Sequence, residues 1–201
     1  MLQMLLQWDH ILFFYINRVF TNPVFDFLLP YFRNKYLWAP LYVFLISFYI
    51  IHFRKEGWWI FFFLLITVLI SDQVSSSLLK PIFHRLRPCN EMLLVGNIRQ
   101  LIDCGGGFSF PSSHATNHFA VGVYLINIFI KKFRWYMPFF ILWAGIISYS
   151  QIYVGVHFPI DVIAGGLLGS AIGWTMATIM KKIIKPKLIV QYKVEEEVAD
   201  L

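Results

Sequence analysis

Five long apolar runs, at about residues 36–53, 57–79, 112–130, 135–153 and 159–180, constrain this chain more than anything else in it. Each approaches the ~20 residues a helix needs to cross a bilayer. Backbone groups in lipid have no water to bond to, so such runs form helices rather than open strands. Hydrophobic residues are 58% of the 201 and charged residues 14%, against about 25% charged in an average soluble domain. The expected fold is all-α: a polytopic transmembrane helical bundle with five or six spans and an interfacial N-terminal helix. Trp38, Trp58, Trp59, Trp135 and Tyr136 lie near run ends, where interfacial anchors belong.

The first 35 residues fit this pattern less well. "LLQWDHILFFYINRVF" mixes Asp9, His10, Asn17 and Arg18 into apolar sequence, and "NPVFDFLLP" has prolines near both ends. An amphipathic interfacial helix followed by a short dipping segment is expected, with a sixth, irregular span as the alternative. Residues 36–180 then form the membrane domain, and 181–201 a charged cytoplasmic tail. The start lacks the basic region and small-residue cleavage site of a secretory signal.

Three short segments are basic: 52–57, 131–134 and 181–187. Alternating spans put all three on one side, which the positive-inside rule makes the cytoplasm. The loop 80–111 and the turn near 154–158 then face outward. The net charge of +6 comes from residues scattered between apolar runs. It forms no stripe for nucleic acid, and topology and anionic head groups account for it better.

Three outward-facing stretches carry polar chemistry. "KPIFHRLRP" holds Lys80, His84, Arg85 and Arg87 within eight positions. These cations either contact lipid head groups or clamp a phosphate. "CGGGFSFPSSHATNHF" brings Pro111, Ser112, Ser113 and His114 to a helix start, which is an ordinary cap or an anion site. "YSQIYVGVHFPID" holds His157 and Asp161 four residues apart, with Pro159 suited to a first helical turn. A carboxylate on one ring nitrogen fixes the tautomer and frees the other, though a structural pair has the same spacing.

All three stretches lie at the outer ends of their spans, so they can converge. Their union lacks the ligand cluster of a zinc or magnesium site. Phosphoryl transfer through a histidine nucleophile, without metal or other cofactor, uses every part. Cys89 and Cys104 fall in the same outer loop and form a candidate disulfide, with two free thiols as the alternative. Asp72, in the span leading to Lys80, is expected to face the bundle and find a partner there.

These residues resemble the type 2 phosphatidic acid phosphatase superfamily of membrane lipid phosphatases. Its motifs are K-x6-R-P, P-S-G-H and S-R-x5-H-x3-D. This chain has Lys80…Arg87-Pro88, Pro111-Ser112-Ser113-His114 and Ser150-Gln151…His157…Asp161. The resemblance implies that His157 attacks phosphorus and Asp161 orients it. It implies that His114 protonates the leaving oxygen and then activates water. Lys80, Arg87 and the Ser112–Ser113 backbone would bind the phosphoryl oxygens. Two positions depart from the pattern: Ser113 replaces glycine, and Gln151 replaces arginine. Glutamine donates but carries no charge, so Arg85, His84 and Arg99 are candidate compensating cations. Arg85 leads on nearness to Arg87.

The function implied is hydrolysis of a lipid phosphate or diphosphate at the outer face of a bacterial cytoplasmic membrane. Undecaprenyl diphosphate is favoured because the chain is short. Phosphatidylglycerol phosphate, phosphatidic acid and lipid A are alternatives, as is transfer of the phosphate to another lipid. A lipid-binding or transport protein with a weakened site is the reading from another class, and retention of His114, His157 and Asp161 argues against it. Partners are the lipid substrate and the bilayer; oligomeric state is left open.

Overall fold

The computed structural model describes residues 2–34, 36–92, 94, 96–129 and 137–184. All regular elements among the described residues are helices, with no strand. Helix α1, Leu2–Phe14, continues into a wide turn at Tyr15–Val19. Helix α2, Pro23–Phe32, begins at Asn22, whose side chain accepts the N–H of Phe25 at 2.9 Å, and has Pro23 where no N–H is needed. The sequence suggests a break at Pro30, yet α2 runs through it to Phe32. Tertiary packing holds that last turn: Leu29 is buried with Tyr153, Val154 and Val156, and Phe32 packs beside them.

The first two apolar runs merge into α3, Ala39–Asp72, but they do not form one straight rod. Arg54 has φ 48° and ψ −119°, and the chain reverses there. A Cβ on Gly57 would lie 2.1 Å from the carbonyl oxygen of Tyr49, so the second limb starts hard against the first. A wide turn at Gln73–Leu79 leads to the short helix α4, Lys80–Phe83. Three further helices follow: α5 (Ser113–Phe129), α6 (Met137–Tyr153) and α7 (Pro159–Ile184).

The main core joins α3, α5, α6 and α7 through residues such as Ile60, Tyr124, Leu125, Trp143, Ile147 and Met180. The tightest seam is α5 on α7. Cβ atoms at Gly165, Gly169 and Gly173 would lie 2.6, 2.1 and 2.2 Å from the carbonyl oxygens of Ser112, Thr116 and Ala120. Small residues allow this backbone approach where lipid removes the hydrophobic drive between helices. Outward faces carry exposed apolar side chains, including Phe44, Ile51, Leu142, Leu167 and Trp174. Ala39–Asn90 and Pro159–Ile184 are long and apolar enough to cross a membrane, while α2 and α6 are shorter apolar helices. Residues 130–136, which hold the expected basic loop, Trp135 and Tyr136, lie outside the described residues, as does the tail from 185 onward.

Candidate active site

His157 occupies the turn between α6 and α7. Gly155, at φ 88°, turns the chain, and the amides of Val156 and His157 both donate to the Gln151 carbonyl, at 3.1 and 3.2 Å. His157 is 2% exposed. Asp161, in the first turn of α7, is fully buried. Its Oδ2 lies 3.5 Å from His157 Nδ1, longer than a good hydrogen bond, and accepts the Phe158 amide at 2.9 Å. Its Oδ1 accepts from Arg85 Nη1 at 2.7 Å. Arg85 also donates to Asp9 Oδ2 at 2.5 Å and lies 4.3 Å from the centre of the Phe158 ring.

Arg87 Nη1 lies 3.5 Å from His157 Nε2, on the side of the ring away from Asp161. The glycine-rich loop holds its guanidinium through the carbonyls of Gly106 and Gly107, each at 3.3 Å. Burial pushes Lys80 down to about 8; Arg87 adds to this, and Asp161 and Asp72 oppose it. Burial also lowers Arg87. Burial drives His157 down to about 4 against the pull of Asp161, with Arg87 and Lys80 adding to the fall. The ring is therefore neutral at ordinary pH, with Nε2 facing the cation.

His114, in the first turn of α5, lines a cavity of about 380 Å³ with Val68, Leu69, Asp72, Ser113 and Asn117. Asp72 faces the bundle as its depth requires, accepting from Asn117 Nδ2 at 3.1 Å. His118 is a packing residue: Nδ1 meets the His114 carbonyl at 2.7 Å, and the ring abuts Trp143.

The two serines divide their tasks. The Ser112 amide donates to the Asp161 carbonyl at 2.9 Å and ties α5 to α7. It is not free for phosphate, which corrects the expectation for that residue. Ser113 begins α5, where N–H groups lack intrahelical partners. Its hydroxyl is 2.8 Å from that of Ser76. Arg54 and His84 are the non-glycine residues with positive φ among those described, so Ser113 replaces glycine without backbone strain.

The candidate compensating cations are otherwise engaged. Arg85 is bound by Asp9 and Asp161 and so orients the carboxylate instead of facing phosphate. Arg99 pairs with Asp26 at 2.5 Å. His84 packs edge-on against Phe108. Gln151 is fully buried; its Nε2 donates to the Ile147 carbonyl at 3.3 Å, while Oε1 has no partner. Cys89 and Cys104 are joined as a disulfide, with Cα atoms 5.9 Å apart. Among the described residues, no group of three or more His, Cys, Asp or Glu is placed to hold a metal ion.

Sequence reasoning missed two groups. Asp9 was visible as an acid in an apolar segment, but its partner lies 76 residues away. Arg33 was not considered; it ends α2, and its Nε is buried without a partner. The glycine seam had a signal, a Gly-x3-Gly-x3-Gly spacing from Gly165, which a count of apolar residues passes over.

The chain is 32% identical to the lipid A 4'-phosphatase of Bacteroides thetaiotaomicron over 91% of its own length and 81% of that protein. It is 33% identical to an undecaprenyl-diphosphatase of Sulfolobus acidocaldarius, covering 79% of this chain and 70% of the other. Its fold is similar to the crystal structure of a transmembrane PAP2 type phosphatidylglycerolphosphate phosphatase from Bacillus subtilis. The TM-score is 0.68 at 20% identity, over 90% of this chain and 88% of that one. Residues 57–185, which contain all three motifs, match the PAP2 superfamily, and the chain belongs to that superfamily.

Proposed function

We propose that this membrane lipid phosphatase hydrolyses its substrate through a phosphohistidine on His157. The observation that carries the reading is the placement of His157 Nε2 beside Arg87, with Asp161 beneath the opposite ring nitrogen. A phosphoryl group held by Arg87 would lie next to Nε2, within reach of attack. The Nε2 lone pair forms a bond to phosphorus as the bond to the leaving oxygen breaks. His114 gives that oxygen its proton, and the lipid leaves as an alcohol, or as a monophosphate if it arrived as a diphosphate. His114 enters as the imidazolium, and losing this proton leaves it neutral, ready to act as the base of the second step. It takes a proton from water, whose oxygen attacks phosphorus and breaks the P–N bond, releasing inorganic phosphate. The 3.5 Å gap between His157 and Asp161 closes as the imidazole gains charge; such bonds commonly tighten with substrate bound.

The proposed substrate is the phosphate of a membrane-embedded lipid. Similarity along nearly the whole chain to a lipid A 4'-phosphatase favours lipid A as the first head group to test. The undecaprenyl-diphosphatase relative supports the isoprenoid diphosphate as the second. Five spans, from residues 36 to 180, and an interfacial N-terminal segment suit the two limbs of α3 and helices α5, α6 and α7. The disulfide between Cys89 and Cys104 supports an outer, oxidising face for the site.

The test is phosphate release from a panel of lipid A, undecaprenyl diphosphate, phosphatidylglycerol phosphate and phosphatidic acid, in one detergent with EDTA present. Release from at least one lipid is expected, with none after His157→Ala. Full activity of His157→Ala overturns the mechanism.

A further inference from the structure

The third motif has a glutamine where its family has an arginine, yet the chemistry at that point still places negative charge on phosphoryl oxygens. Gln151 cannot supply the missing cation, and its side chain donates to its own helix. Arg85 and Arg99 are committed to carboxylates. Arg33 differs from both. Its guanidinium makes no ion pair among the described residues, and its buried Nε lacks a hydrogen-bond partner. A half-buried cation without a counter-ion is unfavourable unless an anion arrives to meet it.

The position of Arg33 is fixed from two sides. Before it, α2 is pinned to the outer end of α6: the Tyr153 hydroxyl donates to Asp26 at 2.6 Å, and Leu29 is buried against Tyr153, Val154 and Val156. After it, Trp38 Nε1 donates to the Phe32 carbonyl at 2.6 Å, and the Trp38 ring meets Trp143 of α6. The corner that bears Arg33 is thus held along α6, between Trp143 and the end that carries Gln151 and leads to His157. The charge of Arg33 acts on both His114 and Arg87.

We propose that Arg33, delivered by the α2 corner, binds the transferring phosphoryl group in the role that the third motif assigns to an arginine at position 151. The proposal rests on the phosphatase reading above. It makes the N-terminal segment part of the active site. The planar, permanently charged fork of arginine suits two phosphoryl oxygens at once.

The experiment compares wild type with Arg33→Ala, Arg33→Lys and Arg33→Ala/Gln151→Arg, measuring kcat, KM, inhibition by vanadate and the unfolding midpoint in detergent. Arg33→Ala is expected to lower kcat/KM on the order of a hundredfold, as loss of one transition-state donor does elsewhere. Vanadate inhibition weakens in parallel, because vanadate mimics the transferring group. Arg33→Lys keeps the charge without the fork and falls in between. Adding Gln151→Arg to Arg33→Ala recovers at least tenfold. Wild-type kcat/KM and vanadate inhibition in Arg33→Ala overturn the proposal. So does a loss that Gln151→Arg leaves uncorrected while the unfolding midpoint falls, since that marks a structural role. If Arg33→Ala does not fold, Arg33→Lys decides: wild-type vanadate inhibition there overturns the proposal. If the wild type releases no phosphate at all, the phosphatase reading fails instead. Vanadate-dependent stabilisation, present in wild type and weakened in Arg33→Lys, then tests Arg33 by itself.

Discussion

Asp9 Oδ1 accepts the backbone N–H of Ile160 at 2.8 Å, joining the first helix of the chain to the start of the last. Its other oxygen holds Arg85, which in turn holds Asp161. Two side chains, Asp9 and Arg85, and the Ile160 amide therefore fix the Asp161 carboxylate behind the proposed nucleophile.

Asp9→Asn keeps the shape of this link and removes its charge. Arg85 then retains one carboxylate in place of two. Breaking a buried ion pair by removing one partner is strongly destabilising, by about 3–5 kcal/mol. A loss toward the low end of that range is expected, because asparagine still accepts from Ile160. Unfolding in detergent measures it. A fall in kcat larger than the rise in KM marks Asp9 as a positioning residue.

The phosphohistidine is open to direct capture. A diphosphate substrate loses a phosphate-bearing leaving group that needs little help from an acid, whereas attack of water still needs His114. His114→Ala is therefore expected to accumulate phosphoenzyme with a diphosphate lipid, detectable by rapid quench. His114→Ala/His157→Gln is expected to show none. Equal labelling in the double variant rules out His157 as the attachment point.

The pH profile follows from Lys80 and His157. Lys80, pushed down to about 8, is charged below that pH and neutral above it. Its hold on phosphate is present on the acid side and lost as pH rises. kcat/KM, which reports the free enzyme, is expected to fall above about pH 8, and Lys80→Arg is expected to move that limb upward. His157 must be neutral to attack. Its fall to about 4 keeps it competent well below the ordinary histidine range near 6.5.

Gly169 is the narrowest point of the α5–α7 seam. Gly169→Ala puts a methyl group where a backbone oxygen now lies at 2.1 Å, so the helices must part. Overpacking of this kind costs about 1–3 kcal/mol. The unfolding midpoint is expected to drop, and activity with it, because His114 rides on α5 and Asp161 on α7. Leu167→Ala, on the exposed side of the same helix, is the matched control.

Much of the site was legible because its residues come in fixed local spacings. His157 and Asp161 are four apart on a helix start, and Lys80 and Arg87 lie within one loop segment. The all-helical fold was legible because lipid demands long apolar helices, which a linear count detects. Contacts between distant segments were not. The ties of Asp9 to Arg85 and Ile160 span 76 and 151 residues, and no periodicity links their partners. Nearness in sequence pointed to Arg85 as the substitute cation, but fold geometry spends that residue on Asp161. The reversal at Arg54 was expected only as a basic loop.

Helix α7 carries two codes on one thread. Along the seam with α5, Gly165, Gly169 and Gly173 leave no room for any side chain. On the opposite face, Ile163, Leu167 and Trp174 are exposed, where lipid accepts almost any apolar shape. Engineers can therefore rewrite one face of this helix for a different bilayer or detergent. The alphabet available on the other face has a single letter.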